Sequence, residues 1–171
     1  IFGCGGGLGI HAAQIAKALG ANVIGFTSSP DKLQKLYPFV EQLFLIEEDL
    51  DPSEVVLSLT DNKGADVVFN PVGSLFFKTA INCLANKGKM LVLGQVDSSS
   101  VSINLAEILF RELSILGSVG ANINHMNKVI DMILDKKIVP VIDHIIPVEC
   151  TSEAYRLLKS NVVSGRIVLT L

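Results

Sequence analysis

The stretch IFGCGGGLGIHAAQIAKALGANVIGF carries the first residues whose types and spacing suit a definite chemistry. Glycine fills positions Gly3, Gly5, Gly6, Gly7 and Gly9, with Leu8 inside the run, and a helix-like segment follows. Glycine permits a tight turn and a close backbone approach to a pyrophosphate. The helix that opens behind it offers unpaired N–H groups and a partial positive charge. Three spacings can be read from the same residues: G-x-G-x-x-x-G through Gly5, G-x-x-G-x-x-G through Gly6, and G-x-x-x-G-x-G through Gly7. Each belongs to a different group of dinucleotide-binding proteins. The turn therefore reads as a nucleotide phosphate site without choosing among them.

Other chemistry-bearing residues are sparser. Cys4, Cys83 and Cys150 are odd in number and form no C-x-x-C pair, so they suggest neither a zinc knuckle nor a redox dithiol. They read as small buried or partly buried thiols in a reducing, cytoplasmic setting. His11, His125 and His144 stand apart without metal-ligand spacing and read as ordinary helix or loop residues. No catalytic residue and no metal ligand is assigned.

The elements that must position the glycine turn follow from hydrophobic period. Short β-branched runs at 22–27, 42–46, 65–70, 89–95 and 112–118 alternate with helix-like runs at 8–19, 30–37, 52–59, 74–84 and 124–136. Pro30 and Pro52 suit the first turn of a helix, and Asp51 suits an N-cap. Such alternation predicts an α/β fold, a doubly wound parallel sheet of the Rossmann kind, over residues 1–140. Residues 141–171 read as a strand–helix–strand appendix with Thr151 or Ser152 capping its helix. The polar run VDSSSVSIN reads as a surface loop. Only Ile1 and Phe2 precede the turn, whereas a strand needs roughly five residues to cross a sheet. The expectation is a piece of a longer protein, cut inside its first nucleotide-binding strand.

Composition excludes other classes. The 171 residues suffice for one domain, 49% are hydrophobic, and the net charge of −3 gives no electrostatic footprint for nucleic acid. No apolar run approaches the roughly 18 residues of a membrane span, and the N-terminal glycines do not read as a signal peptide, lacking a basic region followed by an apolar one.

Five ordered segments narrow the reading: GCGGGLGIHAAQIAKALGANVIGFTSSPDKL, GADVVFNPVG, KGKMLVLGQV, RELSILGS and EAYRLLKSNVVSGRIVLTL. In order and spacing they resemble the C-terminal, nucleotide-binding half of the medium-chain dehydrogenase/reductase family, the zinc-type alcohol dehydrogenases and quinone oxidoreductases. The segment YPFVEQLFLI departs from the family, which usually carries a Gly-Ala-Asp run there, and is taken as altered surface packing. The resemblance implies an oxidoreductase that transfers hydride to or from an enone, quinone, enoyl thioester or aldehyde/alcohol. A missing N-terminal domain would supply the substrate pocket and any zinc ligands, so zinc, if the parent uses it, is not bound by this chain.

The resemblance also assigns cofactor positions. Thr27 stands where NAD-selecting members carry an aspartate, Ser28 and Ser29 are small donors, and Lys32 matches a lysine that binds the 2′-phosphate in the quinone reductase branch. NADP(H) is therefore favoured over NAD(H), with a solvated helix charge as the lesser reading of Lys32. Asn70 and Val72 close one strand. Gly94, Gln95, Gly117 and Ser118 end two others and would line the nicotinamide. Arg166 resembles an arginine that reaches the pyrophosphate, yet an exposed arginine without a partner reads the same. The family's edge strand pairs between subunits, which implies a homodimer through residues 112–119, from Glu112 to Val119.

Rival readings exist. Tyr155 and Lys159 have the Tyr-x-x-x-Lys spacing of short-chain dehydrogenases, but Ile142 stands where that family wants a serine, and only 12 residues follow the lysine. A non-catalytic nucleotide-sensing module would use the same turn. A methyltransferase would want an acid where Thr27 stands.

Overall fold

The computed structural model describes residues 1–97 and 99–171. Its elements run α1 (Gly9–Ala18), β1 (Ile24–Thr27), α2 (Leu33–Leu36), β2 (Gln42–Leu45), α3 (Pro52–Leu59), β3 (Ala65–Asn70), α4 (Phe77–Asn82), β4 (Leu84–Val92), α5 (Leu105–Phe110), β5 (Ser114–Gly117), α6 (Ile123–Leu134), β6 (Ile142–Pro147), α7 (Thr151–Lys159) and β7 (Arg166–Thr170). Every strand pairing is parallel: β1 with β2, β4 between β3 and β5, and β6 with β7. Parallel neighbours need crossovers, and the intervening helices supply them.

The chain divides into two compact units. One comprises Ile1–Gly3 and Ile46–Gly120 and holds the three-stranded ladder with α3, α4 and α5. Val68, Phe77, Ala80, Ile81, Leu84 and Met90 are buried there, and Phe2 stacks on Phe76 with ring centroids 5.1 Å apart. Asp51 caps α3 as expected, its carboxylate accepting from the Ser53 N–H at 2.8 Å ahead of Pro52. The other unit comprises Cys4–Leu45 and Ala121–Leu171. It holds both two-stranded ladders, with Ile10, Ala13, Phe26, Leu36, Val40 and Ile146 buried.

Several local readings change. Residues 1–5 form no strand, but the Phe2 N–H donates to the Phe69 carbonyl at 3.1 Å and the Cys4 N–H to the Phe26 carbonyl at 2.9 Å. β4 begins at Leu84, not Lys89, because the Asn-Lys-Gly turn signal lies inside the strand as an irregularity with Lys87 at φ 63°. It ends at Val92, so Gly94 and Gln95 lie beyond the strand they were expected to end. Helix α5 was not anticipated. It is short, with Leu105, Leu109 and Phe110 exposed, so no buried period marks it, and its signal is the Asn104 cap on the Ala106 N–H. Neither Thr151 nor Ser152 caps α7, since a helical turn at Val148–Cys150 leads into it and the Thr151 hydroxyl donates back to the Val148 carbonyl. The segment YPFVEQLFLI is more than surface, because Val40 and Leu43 are buried. Cys4 and Cys83 are buried as expected, and Cys150 is exposed because it lies in the turn ahead of α7. Within the loop VDSSSVSIN, Ser98 lies outside the described residues.

Candidate dinucleotide-binding site

The glycine turn is shaped by what lies against it. A Cβ on Gly5 would stand 2.6 Å from Lys32 Cδ, and one on Gly7 would stand 2.6–2.8 Å from the Arg166 side chain. Only glycine lets the Lys32 stem and the Arg166 guanidinium settle on this backbone. Arg166 is an exposed residue whose guanidinium stem lies along Gly7. A parallel bridge joins Gly6 to Gly165, just ahead of β7, and the Gly165 N–H donates to the Gly5 carbonyl at 3.3 Å. Behind the turn, α1 begins at Gly9 with Leu8 half exposed.

At the end of β1, Thr27 is buried and its hydroxyl oxygen accepts from the Ser29 N–H at 3.3 Å. A hydroxyl at this place turns the chain and brings no negative charge. Ser28 is exposed and Ser29 is buried. Pro30–Lys32 form a single tight helical turn.

Lys32 corrects the reading of a solvated helix charge. It is 5% exposed, and its ammonium donates to Asn161 Oδ1 at 2.9 Å. Burial pushes its pKa below the ordinary lysine value, and the nearby Asp143 opposes that shift. Asp143 is itself largely buried. Burial works against its charge, but the Lys35 ammonium at 2.8 Å and the Ser164 N–H at 3.2 Å hold its carboxyl below the usual range. Asn161 and Asp143 were not singled out from sequence. The signal for Asn161 was present, since asparagine just past a helix end commonly takes the left-handed conformation, and here φ is 58°.

The second group of expected positions lies in the other unit, at the ends of β3, β4 and β5. Asn70 is fully buried; its amide donates to the Gly73 carbonyl at 2.9 Å and accepts from the N–H groups of Val72 and Gly73. Gln95 accepts from the Ser74 N–H at 3.0 Å and donates to the Ser99 carbonyl at 2.8 Å. Its side chain therefore holds loops together. A Cβ on Gly94 would stand 2.3 Å from the Pro71 carbonyl oxygen, whereas Gly117 faces open space. Ser118 follows β5 with its N–H on the Val92 carbonyl at 3.0 Å.

The histidines divide. His125 completes a capping box with Asn122 at the start of α6, and His144 lies on β6 beside Asp143. His11 is more than an ordinary helix residue, because its Nδ1 lies 2.7 Å from the Gly7 carbonyl and its Nε2 accepts from the Val141 N–H at 3.0 Å. Among the described residues no group of three or more His, Cys, Asp or Glu side chains could hold a metal ion. Burial raises the Cys4 thiol to about 11 and the Cys83 thiol to about 12, which leaves neither as a nucleophile at neutral pH. Among the described residues no helix is long and apolar enough to cross a membrane.

A parallel α/β chain with a glycine turn opening its first helix defines a Rossmann-like nucleotide-binding protein. The sequence profile of the zinc-binding dehydrogenases matches residues 7–135, and the chain belongs to that family. It is similar to the acryloyl-coenzyme A reductase of Sulfurisphaera tokodaii, 28% identical over 99% of this chain and 49% of that protein. The quinone oxidoreductase of Pseudomonas aeruginosa is 35% identical over 58% of this chain and 31% of its own length. The crystal structure of an NAD-dependent alcohol dehydrogenase superimposes with a TM-score of 0.91 at 32% identity, covering 99% of this chain and 50% of that one. The chain spans about half the length of the curated relatives it matches over its whole extent. Membership sets aside the short-chain alternative, and Tyr155 stands 64% exposed on α7.

Proposed function

We propose that this chain is the cofactor-binding part of an NADP(H)-dependent oxidoreductase that moves hydride to or from an enone, quinone, enoyl thioester or aldehyde/alcohol. The observation that carries the reading is the pair of basic side chains laid on the glycine turn, the Lys32 stem over Gly5 and the Arg166 guanidinium over Gly7. Bound nicotinamide supplies the hydride chemistry. This chain's residues bind and orient: the N–H groups opening α1 and the Arg166 fork take the pyrophosphate, and Thr27, Ser28, Ser29 and Lys32 take the adenosine ribose and its 2′-phosphate. Positions Asn70, Val72, Gly94, Gln95, Gly117 and Ser118 are proposed to serve the nicotinamide, with Asn70 and Gln95 keeping their loops in place. Substrate, and zinc if the parent uses it, would be held by a further N-terminal domain.

The lack of a carboxylate at Thr27 supports NADP(H), because an acid there would repel the 2′-phosphate. A second reading, NAD(H), is favoured by the NAD-dependent relative and by the Asn161 amide that already holds the Lys32 ammonium. Calorimetric titration of the chain with NADPH and NADH separates them. One charge-assisted hydrogen bond, about 1.5–3 kcal/mol, predicts roughly 10- to 150-fold tighter NADPH binding, and Lys32→Ala should erase most of it. Equal or tighter NADH binding rejects the NADP assignment. Binding of a dinucleotide by a full-length protein that never oxidises or reduces it would favour the sensing module instead.

A further inference from the structure

His11 closes a circuit of contacts around the phosphate turn. Because the Gly7 carbonyl can only accept, His11 Nδ1 carries the proton of their 2.7 Å contact; because the Val141 N–H can only donate, Nε2 is the bare nitrogen of theirs at 3.0 Å. The ring is therefore the neutral Nδ1–H tautomer. From Val141 the circuit continues: its carbonyl accepts from the Arg166 N–H at 2.9 Å, and the Arg166 guanidinium lies back on Gly7. Three residues along the same helix, the Gln14 amide pairs with both backbone groups of Val139, at 2.8 and 3.0 Å, which fixes the segment leading to Val141.

We propose that His11 is a positioning residue of the pyrophosphate grip, acting on both of its halves. In a trans peptide the C=O and the following N–H point in opposite directions. Pinning the Gly7 carbonyl against the imidazole thus aims the Leu8 N–H away from the helix body, toward an anion at its N-terminus. Through Val141, the same ring fixes the register at which β7 delivers the Arg166 guanidinium to the turn. The inference rests on the reading of this turn as a dinucleotide site.

The test titrates the full chain and its His11→Ala variant with NADPH, NADH, ADP-ribose and 2′-AMP, the last lacking a pyrophosphate. In parallel, nitrogen-15 NMR reads the His11 ring of the unmutated chain. The expected result is a loss of about tenfold for the three pyrophosphate ligands and a change within about twofold for 2′-AMP, with a protonated Nδ1 and a bare Nε2. Equal losses for all four ligands would reduce His11 to a structural residue and overturn the proposal. Unchanged affinities, or a proton on Nε2, would overturn it as well. The NMR arm stands even if His11→Ala fails to fold. Failure of the unmutated chain to bind any of the pyrophosphate ligands would bring down the dinucleotide reading and this inference with it, and only that outcome touches both.

Discussion

Asp143 shows how a single half-buried charge can serve the candidate site through its neighbours. Its carboxylate accepts from Lys35 and from the Ser164 N–H, and it lies close enough to Lys32 to oppose the burial that disfavours that ammonium. Its pKa is lower in the folded chain than in the unfolded one. Folding stability from Asp143 is therefore fully present above the ordinary carboxylate pKa, about 3.9, and is lost as pH falls through the lower folded value. Chemical denaturation of the wild-type chain between neutral pH and pH 3 should show a steeper acid loss than the Asp143→Asn variant. Parallel acid limbs would contradict this assignment. The same residue marks a limit of sequence reading. Lys32 and Asn161 are 129 positions apart and His11 and Val141 are 130 apart, so nothing local in either stretch announces the contact. The glycine run was legible because its chemistry is local; the side chains that grip it were not.

Elements were legible where a cap, a turn residue or a hydrophobic period marked them. α3 announced itself through Asp51 and Pro52, and β3 was bounded correctly because it is a β-branched run between turn residues. α5 lacked a buried face, and the strand now seen from Leu84 was obscured by a left-handed Lys87. β5 is the element with the most to test. It pairs with β4 on one side, and among the described residues no strand lies on its other edge. Leu116 is 44% exposed. An apolar open edge invites pairing with another copy of itself. The proposed homodimer seam is residues 112–119, and Leu116→Lys should shift the chain from dimer to monomer in sedimentation velocity at tens of micromolar. A wild-type monomer under those conditions would reject the seam.

At the scale of the molecule, the parallel pairing and the glycine turn support the proposed cofactor binding, and the chain spans about half the length of the relatives it matches. Purified chain should bind NADPH yet oxidise none above buffer with enones, quinones or aldehydes, because a cofactor half alone cannot hold a substrate in a reactive pose. Turnover abolished by Tyr155→Phe would instead place the chemistry on α7. The most direct measurement of the central claim is hydrogen exchange by mass spectrometry with and without saturating NADPH. The account predicts new protection over residues 5–11 and 27–32 and at the start of β7 around Arg166. Binding that leaves the exchange of residues 5–11 unchanged would contradict it.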